Sequence, residues 1–312
     1  MESMVKNVAK IFEIKERVAR RDPELFHHTV INNTAKEPTI SIVMTASNRS
    51  SQTYFTLETI SKSSVPNIHV VIVDDSDADP LEVDELRKYP LLIDFIQIRR
   101  ENKCWHNPLV NYNIGFQFIR AQKIVIQNAE VCHVGDVLYI VNSDLRDGQY
   151  FVFDCAATNS YDANDKLYAD GTTVYPSTIE RKFLFRAWYQ SRSINNQFHF
   201  LTAITRRSFD SVGGGFPYDC TFGSAFDDND LLLKIKCSCI EVINKFHDIC
   251  GACGIHLYHG ISLQGWDGKA ENNWPIFYFK ERQYKECSTY LEFTEDIKTF
   301  GSKINSLPDP ST

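Results

Sequence analysis

The sequence lacks any apolar run close to the ~20 residues that a helix needs to cross a bilayer, and its first residues lack the apolar core of a signal peptide. It also lacks a block of lysine and arginine, and its formal net charge is −7. Nucleic-acid-binding proteins usually carry a basic face, so nucleic acid is excluded as the expected partner. Together with nine cysteines, an odd number, these absences predict a reduced, cytoplasmic protein without a transmembrane segment.

The chain is otherwise ordinary in composition. Its hydrophobic fraction of 43% and charged fraction of 23% are those of a globular protein. A length of 312 residues is enough for one large domain, or for two lobes around a continuous core.

Apolar runs of strand length alternate with helix-like segments in the first half of the chain. Strands are predicted at 39–46, 68–73, 92–98 and 123–127, and helices at 4–20, 52–63, 81–88 and 107–121. This alternation predicts an α/β fold with a mostly parallel central sheet flanked by helices. The second half is less regular. Strands are predicted at 150–156, 199–205 and 254–259, helices at 135–145 and 227–236, and a loop-rich stretch at 157–197.

Polar clusters follow three of the predicted strands, at 45–49, 74–77 and 127–130. Ligands of open α/β sheets bind beyond the carboxyl ends of the strands. These three clusters are therefore the first indication of a binding site.

A fourth acidic cluster opens a predicted helix, at Asp227-Asp228-Asn229-Asp230. Aspartate at a helix start is a capping signal. Capping is therefore expected of this segment.

The order of these motifs resembles the family 2 glycosyltransferases of GT-A fold, over residues 39–260. The matching segments are Ser41-Ile42-Val43-Met44-Thr45 with Asn48-Arg49, Val71-Ile72-Val73-Asp74-Asp75-Ser76, Asn107-Pro108 through Tyr112-Asn113-Ile114-Gly115-Phe116, Ile126-Gln127-Asn128-Ala129-Glu130 with His133-Val134-Gly135-Asp136, and Gly214-Gly215-Phe216 with Phe226-Asp227-Asp228-Asn229-Asp230-Leu231. Each motif alone is weak, and their common order is what carries the resemblance.

The resemblance implies an inverting transfer from a nucleotide-diphosphate sugar, a UDP-sugar before a GDP-sugar, to a hydroxyl of a glycan or glycoconjugate. It implies donor-binding roles for Thr45, Asn48, Arg49, Asp74, Asp75, Asn113, Gln127 and Asn128. It places Asp228 as the general base with Asp227 beside it, and Glu130 with His259, in preference to His256, as ligands of Mn²⁺ or Mg²⁺. Acceptor-binding roles are expected for Trp188, His199, Gly215, Phe216 and Asp230.

The chain departs from the family pattern at the metal motif. The common form is Asp-x-Asp, whereas Gln127-Asn128-Ala129-Glu130 offers one carboxylate. Some relatives carry a similar Gln-Asn-x-Glu version. Oxygen ligands suit Mn²⁺ or Mg²⁺, and an imidazole favours Mn²⁺.

Several alternatives stay open at this stage. A non-catalytic sugar- or nucleotide-binding module would explain the missing Asp-x-Asp. A nucleotidyltransferase is disfavoured, because segment 46–51 has no glycine where those enzymes carry a Gly-rich loop. A structural zinc site at Cys237, Cys239, Cys250 and Cys253 competes with buried free thiols.

The predicted organisation has a helical extension at 1–36, a nucleotide-sugar-binding half at 37–136, an acceptor-binding and catalytic half at 137–280 and a C-terminal extension at 281–312. The two halves are expected to form one continuous domain with a smaller acceptor-side lobe. The expected partners are a nucleotide-sugar donor and a glycan or glycoconjugate acceptor, and a homodimer is left open.

Overall fold

The computed structural model describes residues 2–33, 36–170, 185–193, 197, 199–223, 225–260 and 270–288. The first half contains α1 (Glu2–Ala19), β1 (Phe26–Ile31), β2 (Ile40–Ala46), α2 (Ser50–Ser61), β3 (Ile68–Asp74), α3 (Val83–Leu86), β4 (Leu92–Ile98), α4 (Leu109–Phe116), β5 (Lys123–Gln127), β6 (Val131–Val134) and α5 (Val137–Asp144). The second half contains β7 (Gln149–Phe153), β8 (Cys155–Thr158), α6 (Tyr161–Asp170), β9 (Phe185–Gln190), β10 (Leu201–Thr205), α7 (Arg206–Ser211), α8 (Asp227–Cys237), β11 (Glu241–Lys245), α9 (His247–Cys250), β12 (Cys253–His256) and α10 (Ala270–Cys287).

An eight-stranded sheet in the order β1-β4-β3-β2-β5-β10-β7-β11 forms the centre. Its inner strands β4, β3, β2 and β5 run parallel, as does the pair of β7 and β11. Strands β2, β3 and β4 are almost entirely buried, which is why most of their residues are apolar on both faces. The predicted α/β fold with a mostly parallel sheet is confirmed.

A second, four-stranded sheet has the strand order β6-β12-β8-β9. Strand β12 pairs antiparallel with β6, and its last residue, His256, lies opposite Val131. The Leu257 N–H donates to the Glu130 carbonyl at 2.8 Å. The small sheet therefore brings a late histidine beside the turn that follows β5.

Two apolar clusters cover the two faces of the central sheet. Helices α1 and α4 contribute to one cluster, and α2 and α5 to the other. Helix α4 packs very close to the sheet at Gly115, which has no side chain. A Cβ at this position would lie only 2.8 Å from Val43 Cγ1. Helix α1 buries Ile11, Ile14 and Val18, so the apolar stripe of the predicted N-terminal helix faces the domain.

The prediction of a loop-rich stretch at 157–197 is wrong in part, because it contains α6 and β9. Among its described side chains, the only apolar ones that helix α6 buries are Ala163 and Leu167, and one buried apolar residue per turn is a weak periodic signal. Strand β1 was not predicted; it pairs antiparallel with β4 at the sheet edge and is buried only at its two ends, Phe26 and Ile31. Most of the predicted extension at 281–312 lies outside the described residues.

Within the part of the chain that the structure describes, no helix is both long and apolar enough to cross a membrane.

Candidate active site

A cavity of about 890 Å³ opens at the carboxyl ends of β2, β3 and β5. Pockets of roughly 300–1,000 Å³ hold ligands of cofactor size. Ten of the residues predicted for the site line it, namely Thr45, Asn48, Arg49, Asp75, Asn128, Glu130, His199, Asp227, Asp228 and His259. Three polar corners that are distant in the sequence therefore meet in one space.

The first corner is built on Asp75, directly after β3. Its carboxylate accepts from Lys103 Nζ, from Arg100 Nη1 at 3.2 Å and from Asn111 Nδ2 at 3.2 Å. Arg100 and Lys103 come from the segment after β4, where no pattern in the sequence singled them out. This corner offers an anionic acceptor beside two cations.

The loop after β2 is fixed to this corner by Asn48, which adopts φ +55°. Its Oδ1 accepts from the main-chain N–H groups of Asp77, Ala78 and Asp79 at 2.9–3.0 Å. The short polar side chain of asparagine tolerates this left-handed conformation. The contact leaves the neighbouring Arg49 directed across the cavity.

Asp74 has a different role from its neighbour. It is buried and does not line the cavity. Its carboxylate accepts from Ser76 N–H and Oγ–H and from Leu81 N–H at 2.9 Å, while burial raises its pKa. The structure therefore places Asp74 as a holder of the turn after β3, in contrast to the donor contact predicted for it.

The second corner is built on Glu130, which is buried at the turn between β5 and β6. Its Oε1 contacts Arg49 Nη1 and lies 3.3 Å from His256 Nε2 and 3.6 Å from His259 Nε2. Burial opposes ionisation of Glu130, but Arg49 and the histidines outweigh it and hold its pKa below the usual range. Its Oε2 is buried and has no hydrogen-bond partner among the described residues.

These three side chains, Glu130, His256 and His259, can offer ligand atoms within 4.8 Å of one another. A carboxylate with two imidazoles suits Mn²⁺ better than Mg²⁺, which prefers oxygen ligands. A buried carboxylate oxygen normally has a hydrogen-bond partner or binds a cation. Glu130 Oε2 is therefore a candidate ligand for a metal ion. The residues present therefore fit a divalent cation.

The Glu130 turn is held from behind by Gln127. Its Nε2 donates to the Val131 carbonyl at 3.0 Å, and its Oε1 accepts from His133 Nε2 at 2.8 Å. Burial lowers the pKa of His133 to about 4, so the ring is neutral and keeps this donor role. Gln127, which is predicted to bind the sugar donor, is fully buried and does not line the cavity, and its observed contacts support the turn.

The third corner is the start of α8. The chain enters this helix through two residues with positive φ, Ala225 at +60° and Phe226 at +68°. Non-glycine residues in this region store about 1–3 kcal/mol of strain each and cluster at functional sites. The turn brings both Asp227 and Asp228 to the cavity wall. Phe226, and not an aspartate, is the N-cap residue.

Asp227 and Asp228 form an acidic pair with His199 beside it. One ligand-type atom from each of the three lies within 4.8 Å of the others. Burial and the adjacent Asp228 raise the pKa of Asp227 to about 6. Asn107 Nδ2 approaches Asp227 Oδ1 at 3.4 Å. This corner can accept a proton near neutral pH.

Four residues that were predicted to bind the sugar donor or the glycan acceptor, Asn113, Gly215, Phe216 and Asp230, lie behind the cavity wall. The Asn113 amide donates to the Phe216 carbonyl at 2.9 Å and accepts from the Phe216 N–H at 2.7 Å. A Cβ at Gly215 would lie 2.7 Å from Asn113 Oδ1, so glycine is needed for this approach. Asp230 is fully buried on Lys280 Nζ. None of these four lines the cavity, because each is used in holding the scaffold.

Trp188 belongs to β9, opposite Ala156, but its side chain lies outside the described residues. Tyr161 was not predicted, yet it lines the cavity, and its hydroxyl oxygen accepts from Gly260 N–H at 3.0 Å. It lies at the start of α6, within the segment 157–197 that was predicted to be rich in loops.

The four cysteines proposed for zinc are free thiols. Among the described residues, the groups with metal-ligand geometry contain no cysteine. Burial raises the pKa of Cys253 and of Cys250, which favours the inert thiol over a metal-binding thiolate.

A family model described as Glycosyl transferase family 2 matches residues 41–213. Among solved structures, the chain is similar to TarS from S. aureus, with a TM-score of 0.51 and 12% identity over 79% of this chain and 43% of that one. TarS 1-349 in complex with UDP-GlcNAc has a TM-score of 0.49 and 12% identity, over 85% and 78% of the two chains.

A third similar structure is the mannosyltransferase PcManGT from Pyrobaculum calidifontis in complex with GDP-Man and Mn²⁺, with a TM-score of 0.44 and 14% identity, over 98% and 87% of the two chains. The chain spans less than half the length of the longer TarS structure. At these identities the likeness concerns the fold. No curated protein matches the chain.

Proposed function

The chain belongs to glycosyl transferase family 2, and from this premise we propose that it moves a sugar from a UDP-sugar to a hydroxyl of a glycan or glycoconjugate, with inversion at the anomeric carbon. The observation that carries the proposal is that Asp75, Glu130 and Asp228 line one cavity. The Asp75 corner would bind the nucleotide base, the Glu130 corner the diphosphate, and the Asp228 corner the reacting hydroxyl.

The nucleoside would lie between Thr45 and Asp75. A uracil edge presents one N–H between two carbonyl oxygens, and Asp75 is an acceptor for that N–H. The cations beside Asp75, Arg100 and Lys103, are donors for the flanking carbonyls or the ribose. This alternation of acceptor and donors is the reason for preferring a UDP-sugar to a GDP-sugar, whose base edge presents two adjacent donors.

The diphosphate would lie at Glu130, with Mn²⁺ held by Glu130, His259 and His256. When bound, a divalent cation offsets the negative charge that develops on the leaving diphosphate. Arg49, which contacts Glu130, adds a fixed positive charge at the same place. A guanidinium with its planar donors is well suited to phosphate oxygens.

The chemistry would occur at the start of α8. The acceptor oxygen attacks the anomeric carbon while the bond from that carbon to the β-phosphate oxygen breaks. The hydroxyl proton passes to Asp228, and the electron pair of the broken bond leaves with the nucleoside diphosphate. The raised pKa of Asp227 supports a proton-accepting role for the pair, since a general base works best with a pKa near the operating pH.

The test is incubation with Mn²⁺ and a panel of UDP-glucose, UDP-GlcNAc, UDP-galactose and GDP-mannose, with release of nucleoside diphosphate as the readout. Release from a UDP-sugar, stimulated by a glycan acceptor, is the expected result. Binding of UDP without turnover of any donor would favour a non-catalytic binding module. Neither binding nor release across the panel would refute the proposal.

A further inference from the structure

His199, which lies two residues before β10, faces the proposed base directly. Its Nδ1 contacts Asp228 Oδ1, and its main-chain N–H donates to the same oxygen at 3.1 Å. Both contacts use Oδ1, so Oδ2 is the oxygen that can meet an acceptor hydroxyl. Because His199 contacts Asp228 through both its ring and its main chain, the Asp228 carboxylate has little freedom to rotate.

The His199 ring is itself held on two sides. It packs edge-on against Tyr112, with ring centroids 5.1 Å apart, and against Phe216, with centroids 4.9 Å apart. The ring is buried. Tyr112 donates from its hydroxyl to the Gln127 carbonyl at 2.8 Å, and Phe216 is fixed through its main chain by Asn113.

This packing gives the Gly214-Gly215-Phe216 motif a use. Gly215 allows Asn113 to reach the Phe216 main chain, and Phe216 then supports the His199 ring. The same ring touches Tyr112, which is hydrogen-bonded to the turn that presents Glu130. The base corner and the diphosphate corner are thus joined through one aromatic cluster of Tyr112, His199 and Phe216.

Charge gives a second reason for a histidine at this position. Asp227 is buried and the adjacent Asp228 is half-buried, and two carboxylates this close ionise together only at a high cost unless a cation is near. Burial favours a neutral His199, but Asp228 outweighs burial and raises the histidine pKa. An imidazolium at this place balances one of the two carboxylate charges of Asp227 and Asp228.

We propose that His199 is a positioning residue for the transfer reaction, which fixes the rotamer of Asp228 and balances its charge, in place of the acceptor contact expected from the sequence. This inference rests on the proposed function, because it needs Asp228 to act as the base. A displacement of a reacting group by about 1 Å can cost about 10²-fold in rate. His199 acts through Asp228, so its loss lowers kcat and leaves donor binding intact.

The experiment compares kcat and the donor KM of wild type with three variants, using the most active donor from UDP-glucose, UDP-GlcNAc, UDP-galactose and GDP-mannose. His199→Phe keeps a packed aromatic ring and removes the ring N–H that contacts Asp228. His199→Asn places an amide N–H close to the position of Nδ1, whereas His199→Gln places it near Nε2. Asp228→Asn is combined with His199→Phe to test whether the two residues act as one unit.

The expected result is a fall in kcat of about 10²-fold in His199→Phe with a donor KM within about 3-fold of wild type. His199→Asn is expected to recover part of this loss and His199→Gln none. In the Asp228→Asn background, His199→Phe is expected to change kcat by less than about 3-fold. UDP binding measured by calorimetry confirms that each variant is folded.

The inference is overturned if His199→Phe keeps the kcat of wild type, if it raises the donor KM at constant kcat, or if its effect adds fully to that of Asp228→Asn. Equal losses in His199→Asn and His199→Gln also overturn it, since a merely structural ring has no preference between the two amides. A wild-type protein that is inactive with every donor refutes the proposed function, and this inference falls with it. An active wild type with insensitive His199 variants refutes the inference alone.

Discussion

Replacing Glu130 with glutamine removes the single carboxylate from the group formed with His256 and His259. Its Oε1 lies 3.3 Å from His256 Nε2 and 3.6 Å from His259 Nε2, while Oε2 is buried without a partner among the described residues. Glutamine keeps the size of the side chain, so the turn after β5 is preserved. The change withdraws one negative charge from the place where a divalent cation would be held, and leaves Arg49 without its anionic partner.

The size of the effect follows from the number of ligands. Loss of a mere supporting hydrogen bond around a metal typically costs about 10–100-fold in affinity. Loss of the sole carboxylate is expected to cost at least about 100-fold, or about 2.7 kcal/mol. Arg49 has a side chain that is 28% exposed, so it can turn toward water, and folding is affected little.

The assay is calorimetric titration of UDP into the protein with and without Mn²⁺. Wild type is expected to bind UDP much more tightly with Mn²⁺, and Glu130→Gln equally weakly in both conditions. Glu58→Gln is a matched control, because the same change falls on the exposed side of α2, where Glu58 pairs with Lys62. Full enhancement by Mn²⁺ in Glu130→Gln would show that Glu130 does not hold the metal.

Other substitutions separate the remaining roles. Burial and Asp228 raise the pKa of Asp227 to about 6, so the pair of Asp227 and Asp228 takes up a proton as the pH drops below about 6, and kcat should fall. Asp227→Asn removes the like charge beside Asp228 and should move this limb of the pH–rate profile to lower pH. Asp75→Asn should weaken UDP binding by about 10–100-fold, measured by calorimetry, whereas Asp74→Asn should leave binding unchanged and lower the unfolding free energy by about 1–2 kcal/mol. Lys280→Met removes the ammonium group that pairs with the buried carboxylates of Asp219 and Asp230, and should lower the free energy of unfolding in urea by about 3–5 kcal/mol. The exposed Lys285→Met should lower it by less than about 0.5 kcal/mol.

Much of the fold was readable in the sequence because buried parallel strands leave a strong trace. Strands β2, β3, β4 and β5 are mostly apolar runs, and the ends of β2, β3 and β5 coincide with the polar clusters that meet in the cavity. The predicted family is confirmed by the family match, and the predicted α/β fold by the observed sheet. The donor, the acceptor and the residue roles stay proposals.

The long-range side-chain contacts that decide whether a residue faces the cavity produce no local pattern in the sequence. Asn113 and Phe216 are separated by 103 positions, and a pair this distant shows no local periodicity. Adjacent residues also diverged, since Asp75 faces the cavity and Asp74 holds a turn. His199 is a single histidine before a strand, and its partnership with Asp228 exists only once β10 and α8 are packed.

The central claim, that this chain is a sugar transferase with Asp228 as its base, is tested most directly by comparing wild type with Asp228→Asn on one UDP-sugar in the presence of Mn²⁺. We predict that kcat for UDP release falls by about 10²–10⁴-fold while the affinity for UDP is unchanged. Equal turnover by wild type and Asp228→Asn would contradict the account.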